Sequence, residues 1–208
     1  MPVSNPAFRF VLQEFQDGSC PPGYGGNLYI RSPTGSVHLE RSIFRNGHAR
    51  HGGGAVINAP LVQVTHCVFE NNSGTALLDF LDGGLNLSLD LRLESSDFLD
   101  NSGSWGGGFL ASGIGVMPKL SVVNCLFERN LASASGGVGA VFPDADTADL
   151  TLYSNSGTDN VAFGTEPDTC DEFLIYLGGA YMCFGVDEDF SSEGRQCIVK
   201  RPKSVPHD

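Results

Sequence analysis

Four carboxylates, Glu70, Asp97, Asp100 and Glu128, recur through the middle of the chain, and Arg129 directly follows the last of them. Two carboxyl groups held about 5 to 9.5 Å apart can cleave a glycosidic bond, one giving a proton while the other attacks or activates water. Acidic side chains that gather calcium beside an arginine or lysine base would instead serve a polysaccharide lyase. A second group, Arg41, Arg45, His48, Arg50, His51 and His66, makes the amino-terminal third mildly positive, since residues 1–66 hold five Lys or Arg against three Asp or Glu. It would receive an anionic sugar or an acidic protein surface. His48 and His51 stand three apart among glycines, without the spacing of a strong metal motif.

A third group is purely acidic. No Lys or Arg occurs between Arg129 and Arg195, while Asp144-Ala145-Asp146 and Asp187-Glu188-Asp189 fall inside that stretch. Clustered oxygens suit a hard cation, so Asp144, Asp146, Asp187 and Asp189 are the candidate calcium ligands. Neither triplet matches an EF-hand loop or the glycine-aspartate nonapeptide of calcium-binding β-rolls. No other cofactor is expected.

Residues this far apart meet only if the chain returns on itself at a fixed interval, and such an interval exists. Phe15, Phe44, Phe69, Phe98 and Phe127, continued by Gly157, are separated by 29, 25, 29, 29 and 30 residues. Seven residues before each stand Phe8, Val37, Val62, Leu91, Leu120 and Leu150, and five before stand Phe10, Leu39, Val64, Leu93, Val122 and Leu152. The position between is polar in the later coils, which is the alternation of a half-buried strand. Two residues before the anchor a small or polar column, Gln13, Ser42, Cys67, Ser96, Cys125 and Asn155, faces the same side. Three residues after it come Gly18, Gly47, Asn72, Asn101, Asn130 and Asn160, types that tolerate a left-handed backbone, so each coil is expected to bend there. Glycine clusters and a further apolar run follow, giving two or three strands per coil.

Stacked at about 4.8 Å, such coils bury a continuous core that none could form alone. The expectation is an all-β protein, a parallel β-helix of about six coils over residues 1–163. An irregular cap over 164–194 and a flexible basic tail over 195–208 would follow. Asp17–Arg31 reads as a loop inserted in the first coil. With 27 glycines and 17% charged residues in 208, long helices are disfavoured. A net charge of -12 argues against nucleic acid and anionic lipid as partners. The longest apolar run, Phe173 to Phe184, is interrupted by glycine and too short to insert in a membrane.

The Phe-x-x-Asn motif at Phe69 to Asn72, Phe98 to Asn101 and Phe127 to Asn130, with Gly53-Gly54-Ala55-Val56, resembles the paired repeats of the polymorphic outer-membrane protein adhesins. More broadly the pattern is similar to right-handed parallel β-helix proteins of the pectin-lyase-like class, over roughly residues 8–163. The resemblance implies right-handed winding. An extracellular or cell-surface setting is the expectation; Met1 to Gln16 show no secretory signal, which fits a piece of a longer precursor or, alternatively, a protein kept inside the cell.

Cys67 and Cys125 share an inward column two coils apart, about 10 Å by the strand spacing, and are expected to be buried thiols. Cys170, Cys183 and Cys197 would supply one disulfide, with Cys20 or one of the three left over. Asn71-Asn72-Ser73 and Asn86-Leu87-Ser88 are glycosylation triplets, usable in a secreted eukaryotic protein. No column stacks carboxylates on adjacent coils. The expected function is therefore a non-enzymatic module, a spacer, adhesive or assembly subunit of a larger chain or assembly that meets protein or polysaccharide through its side faces. The alternative is a carbohydrate-active enzyme using Glu70, Asp97, Asp100 and Glu128.

Overall fold

Alternating apolar and polar residues make strands, and the regular return of the anchor decides how those strands are joined. The computed structural model describes residues 7–81, 90–113, 119–143, 149–164, 173–177, 180–185 and 190–192. The first coil holds β1 (Ala7–Val11), β2 (Glu14–Gln16), β3 (Ser19–Tyr24) and β4 (Leu28–Arg31). The second holds β5 (Ser36–Glu40), β6 (Ile43–Arg45), β7 (His48–His51) and β8 (Ala55–Asn58). β9 (Leu61–Thr65), β10 (Val68–Glu70) and β11 (Leu77–Leu81) form the third. Next come β12 (Asp90–Glu94), β13 (Asp97–Leu99), β14 (Ser102–Trp105) and β15 (Phe109–Gly113), then β16 (Lys119–Val123), β17 (Leu126–Glu128), β18 (Leu131–Ser135) and β19 (Gly139–Pro143). The last pass holds β20 (Asp149–Tyr153), β21 (Ser156–Thr158), β22 (Val161–Ala162) and β23 (Phe173–Leu177), followed by β24 (Ala180–Phe184) and β25 (Phe190–Ser192).

The chain is a parallel β-solenoid. Its first sheet is crossed by β1, β5, β9, β12, β16 and β20, six passes that bracket about five turns. The second sheet stacks β2, β6, β10, β13, β17 and β21, and the fourth stacks β4, β8, β11, β15, β19 and β23. The third is split: β3 pairs β7, and β14, β18 and β22 form a separate ladder. Single bridges from His48 to Ser73 and from Ser73 to Ser102 join the two. Most coils thus carry four strands rather than two or three. Asp17–Arg31 is no inserted loop, because it contributes β3 and β4 to the stack. Among the described residues, two strands run against the rest, β24 on β23 and β25 on β20. The basic tail falls outside the described residues.

The sequence columns are the register. Phe15, Phe44, Phe69, Phe98, Phe127 and Gly157 lie opposite one another on successive coils. Their rings stack in parallel, with centroids 4.9, 4.7, 4.9 and 5.0 Å apart from Phe15 to Phe127. Burial of each ring contributes about 1.5 to 3 kcal/mol. The ladder ends where Gly157 offers no ring, and Phe173 meets Phe127 edge-on at 5.6 Å.

The bends differ from expectation by one residue. Left-handed backbone occurs at Asp17, Asn46, Asn71, Asp100, Arg129 and Asp159, each directly before the asparagine column. An earlier corner uses Leu12, Arg41, His66, Ser95, Asn124 and Ser154 in the same way. Asparagine is needed at its own position for its side chain. Asn101 Oδ1 accepts from the backbone and side-chain nitrogens of Asn72, both at 3.0 Å, while its Nδ2 donates to Phe69 O at 2.9 Å and Asn130 Oδ1 at 3.0 Å. Both lone pairs and both hydrogens are used. The ladder runs on through Asn130 to Asn160. Gly18 and Gly47 have no amide to add, and Asn27 reaches into their place, accepting from Gly18 N and donating to Arg45 O. Left-handed glycine does mark a later corner. At Gly106, φ is 66°, and a Cβ would stand 1.8 Å from Phe109 O.

Candidate functional site

Of the four carboxylates, the fold gathers three. Asp97 lies at the start of β13, Asp100 at the left-handed corner after it, and Glu128 at the end of β17 on the next coil. Arg129, at the corner directly over Asp100, grips both of its neighbours. Its Nε and Nη2 donate to the two Asp100 oxygens at 2.6 and 2.8 Å, and its Nη1 donates to Glu128 at 2.8 Å. The guanidinium holds the Asp100 carboxyl below the usual carboxylate range, chiefly through the hydrogen bond. Asp97 is displaced the other way, first by burial and then by the charge of Glu128. Glu70 stands apart: in the register it aligns with Leu99, which separates it from Glu128.

The basic group divides among three places. Arg41 and His66 occupy the earlier left-handed corner on successive coils. There Glu40 is bound by Arg9 at 2.5 Å and approached by Arg41 at 3.7 Å. The hydrogen bond from Arg9 is the main reason its carboxyl is held low. Arg45 aligns with Gln16 and Glu70 on the second sheet and pairs with Glu14, and its Nε is buried without a hydrogen-bond partner. His48, Arg50 and His51 lie on β7, on the third sheet. His51 stacks against Tyr24 with centroids 5.2 Å apart, and burial, then the charge of Arg50, push its imidazole down. Six residues close in sequence therefore serve three separate neighbourhoods.

Asp144, Asp146, Asp187 and Asp189 lie outside the described residues. Among the described residues, no three His, Cys, Asp or Glu side chains gather closely enough to hold a metal ion. Cys67 and Cys125 are buried thiols in the inward column, as their spacing implied. Each Sγ reaches the carbonyl two residues earlier, and burial pushes Cys67 up to about 11 and Cys125 to about 12. Cys183 lies on β24, while Cys170 and Cys197 lie outside the described residues, so their pairing does too. Asn71 is exposed at its corner and donates to Asn46 Oδ1 at 2.9 Å. Asn86 is not among the described residues.

One further surface is marked by its lack of charge, which no pattern of charged residues reveals. On the third sheet, β3 and β7 display Tyr24, His48 and Arg50, whereas β14, β18 and β22 display Trp105, Leu131 and serines. The run of uncharged residues from Asn101 to Gly113 and from Asn130 to Pro143 was the available signal. Comparison of the chain with protein-family models, with curated proteins and with solved structures finds no match. The geometry therefore carries the functional reading.

Proposed function

We propose that the chain is a non-enzymatic β-solenoid module of a secreted or cell-surface protein, working as spacer, adhesive or assembly subunit through its side faces. One observation carries this reading: Asp100 and Glu128 are both bound to Arg129, so carboxylates that a hydrolase would leave poised are spent as counter-ions. The Phe-x-x-Asn columns add support for a right-handed adhesin-like repeat of the pectin-lyase-like class. Such a module sits within a larger chain or assembly and meets protein or polysaccharide. Incubation with a panel of polysaccharides, assayed for new reducing ends and unsaturated products, is expected to show no turnover. Turnover that Asp100→Asn abolishes overturns the reading.

A second reading, a carbohydrate-active enzyme, draws on Asp97. Its raised proton affinity beside Glu128 is the behaviour of a general acid facing a second carboxylate. In that case Asp97→Asn and Glu128→Gln would each remove turnover while leaving the melting temperature in place.

A further inference from the structure

We propose that the carboxy-terminal half of the third sheet, formed by β14, β18 and β22, is a binding face for an uncharged polysaccharide. The proposal rests on the reading of the chain as a module that acts through its side faces, and it names the face and its ligand. The chain carries a net charge of -12, yet residues 101–113, 130–143 and 160–164 contain no Asp, Glu, Lys, Arg or His. The strands of this face and the glycine turns beyond them are drawn from those segments. Phe163 is 66% exposed, Leu131 39% and Trp105 38%, and Ser104 and Ser133 are exposed with them. The backbone beneath is fixed, for Leu131 aligns with Ser102 and Val161, and Phe163 N donates to Ala132 O. Trp105 is held edge-on against Phe142 at 5.2 Å, so its ring is oriented before anything binds.

The chemistry of the face selects the ligand. A sugar ring offers an apolar C–H face and a rim of hydroxyls, which an aromatic ring and neighbouring serines can meet together. Coils repeat at about 4.8 Å along the axis, so Trp105, Leu131 and Phe163, on three successive coils, can meet successive parts of an extended polymer. A polyanion would find no cation here and would meet the repulsion of the whole chain. A second copy is disfavoured by the same charge, since both partners bring -12. A protein partner would seek pockets for a few anchoring side chains, whereas the exposed positions of β14 and β18 are serines beside Trp105 and Leu131.

The test uses the whole chain, incubated with insoluble cellulose, chitin and β-1,3-glucan, with alginate immobilised on beads as the charged control. Depletion from solution by at least one neutral polymer, unaffected by added salt and absent with alginate, is expected. Phe163→Ala is expected to weaken retention by roughly tenfold, and Trp105→Ala by a similar factor. Phe163 is the safer variant because of its exposure, and an unchanged melting temperature shows that the fold is intact. Retention by none of the neutral polymers overturns the proposal, as does retention indifferent to both variants. Self-association that Phe163→Ala abolishes would assign the face to a second copy, and capture of a protein in place of the polymers would likewise overturn it. Retention lost in Tyr24→Ala but kept in Phe163→Ala would move the ligand to β3 and β7, leaving the side-face reading intact. Cleavage of a retained polymer would instead defeat the side-face reading itself.

Discussion

Asp100 and Asn101 are neighbours in sequence, yet the columns they belong to obey different rules. The inner column reads Asn72, Asn101, Asn130 and Asn160, all buried, and each of the first three donates to the amide oxygen of the next coil. The outer column reads Asp17, Asn46, Asn71, Asp100, Arg129 and Asp159, all left-handed, with acidic, amide and basic side chains among them. Inside, one hydrogen-bonding pattern must be satisfied on every coil, and only an amide of this length supplies two acceptor sites and two donor hydrogens there. Outside, water completes whatever the side chain leaves unpaired, so the residue is free to vary. A single step along the chain separates the part that builds the rod from the part that can be adapted to a partner.

That contrast can be broken by substitution. Phe98→Ala, in the stacked ladder, should lower unfolding free energy by about 3 to 5 kcal/mol. Chemical denaturation measures it, and a value near zero would mean the inner columns do not carry stability. Asn101→Ala strands Phe69 O and both nitrogens of Asn72 from one of their partners. At roughly 1 to 3 kcal/mol for each orphaned buried group, the loss should reach about 3 kcal/mol.

The thiol column sharpens the comparison through pH. Cys67 and Cys125 are kept neutral in the fold, raised from 9.0 to about 11 and about 12. Once the pH passes 9, the unfolded thiols ionise while the folded ones cannot. Stability should then fall by about 1.4 kcal/mol per pH unit for each thiol until its folded value is reached. Cys67→Ser with Cys125→Ser should flatten that slope in melts taken from pH 8 to pH 11. The smallest effect is expected outside. Arg129→Ala removes two solvent-facing ion pairs, and the melting temperature at neutral pH should stay within experimental scatter. A large drop would show that the outer column is structural after all.

The inner columns were legible because burial fixes residue type, and a fixed type repeated every 25 to 30 residues is visible without coordinates. Phe44 over Phe69 and Val37 over Val62 needed nothing more. The corner was misplaced by one residue because asparagine has two uses, a tolerant backbone and a bonding amide, and the first was credited where the second operates. The Arg129–Asp100 pair was readable in principle, since 29 residues is one coil. Asp100 and Glu128 also suit hydrolytic chemistry, and residue type alone does not rank that role below ion pairing. The division of the basic group was hidden for the opposite reason. Arg41, Arg45 and His48 are close in sequence, but two corners intervene and turn them to different faces.

The reversal of β24 and β25 has a consequence for size. A strand laid down in parallel leaves an edge of the same kind as the one it covered, so a stack of this sort contains no instruction about when to finish. Polymer chemists separate propagation from termination, and the chain encodes the two in different places. The phenylalanine and asparagine columns propagate. Two short segments running backwards cover β23 and β20, the last parallel strands of the fourth and first sheets. Whole coils that carry those columns could be duplicated or deleted ahead of these two segments without altering them.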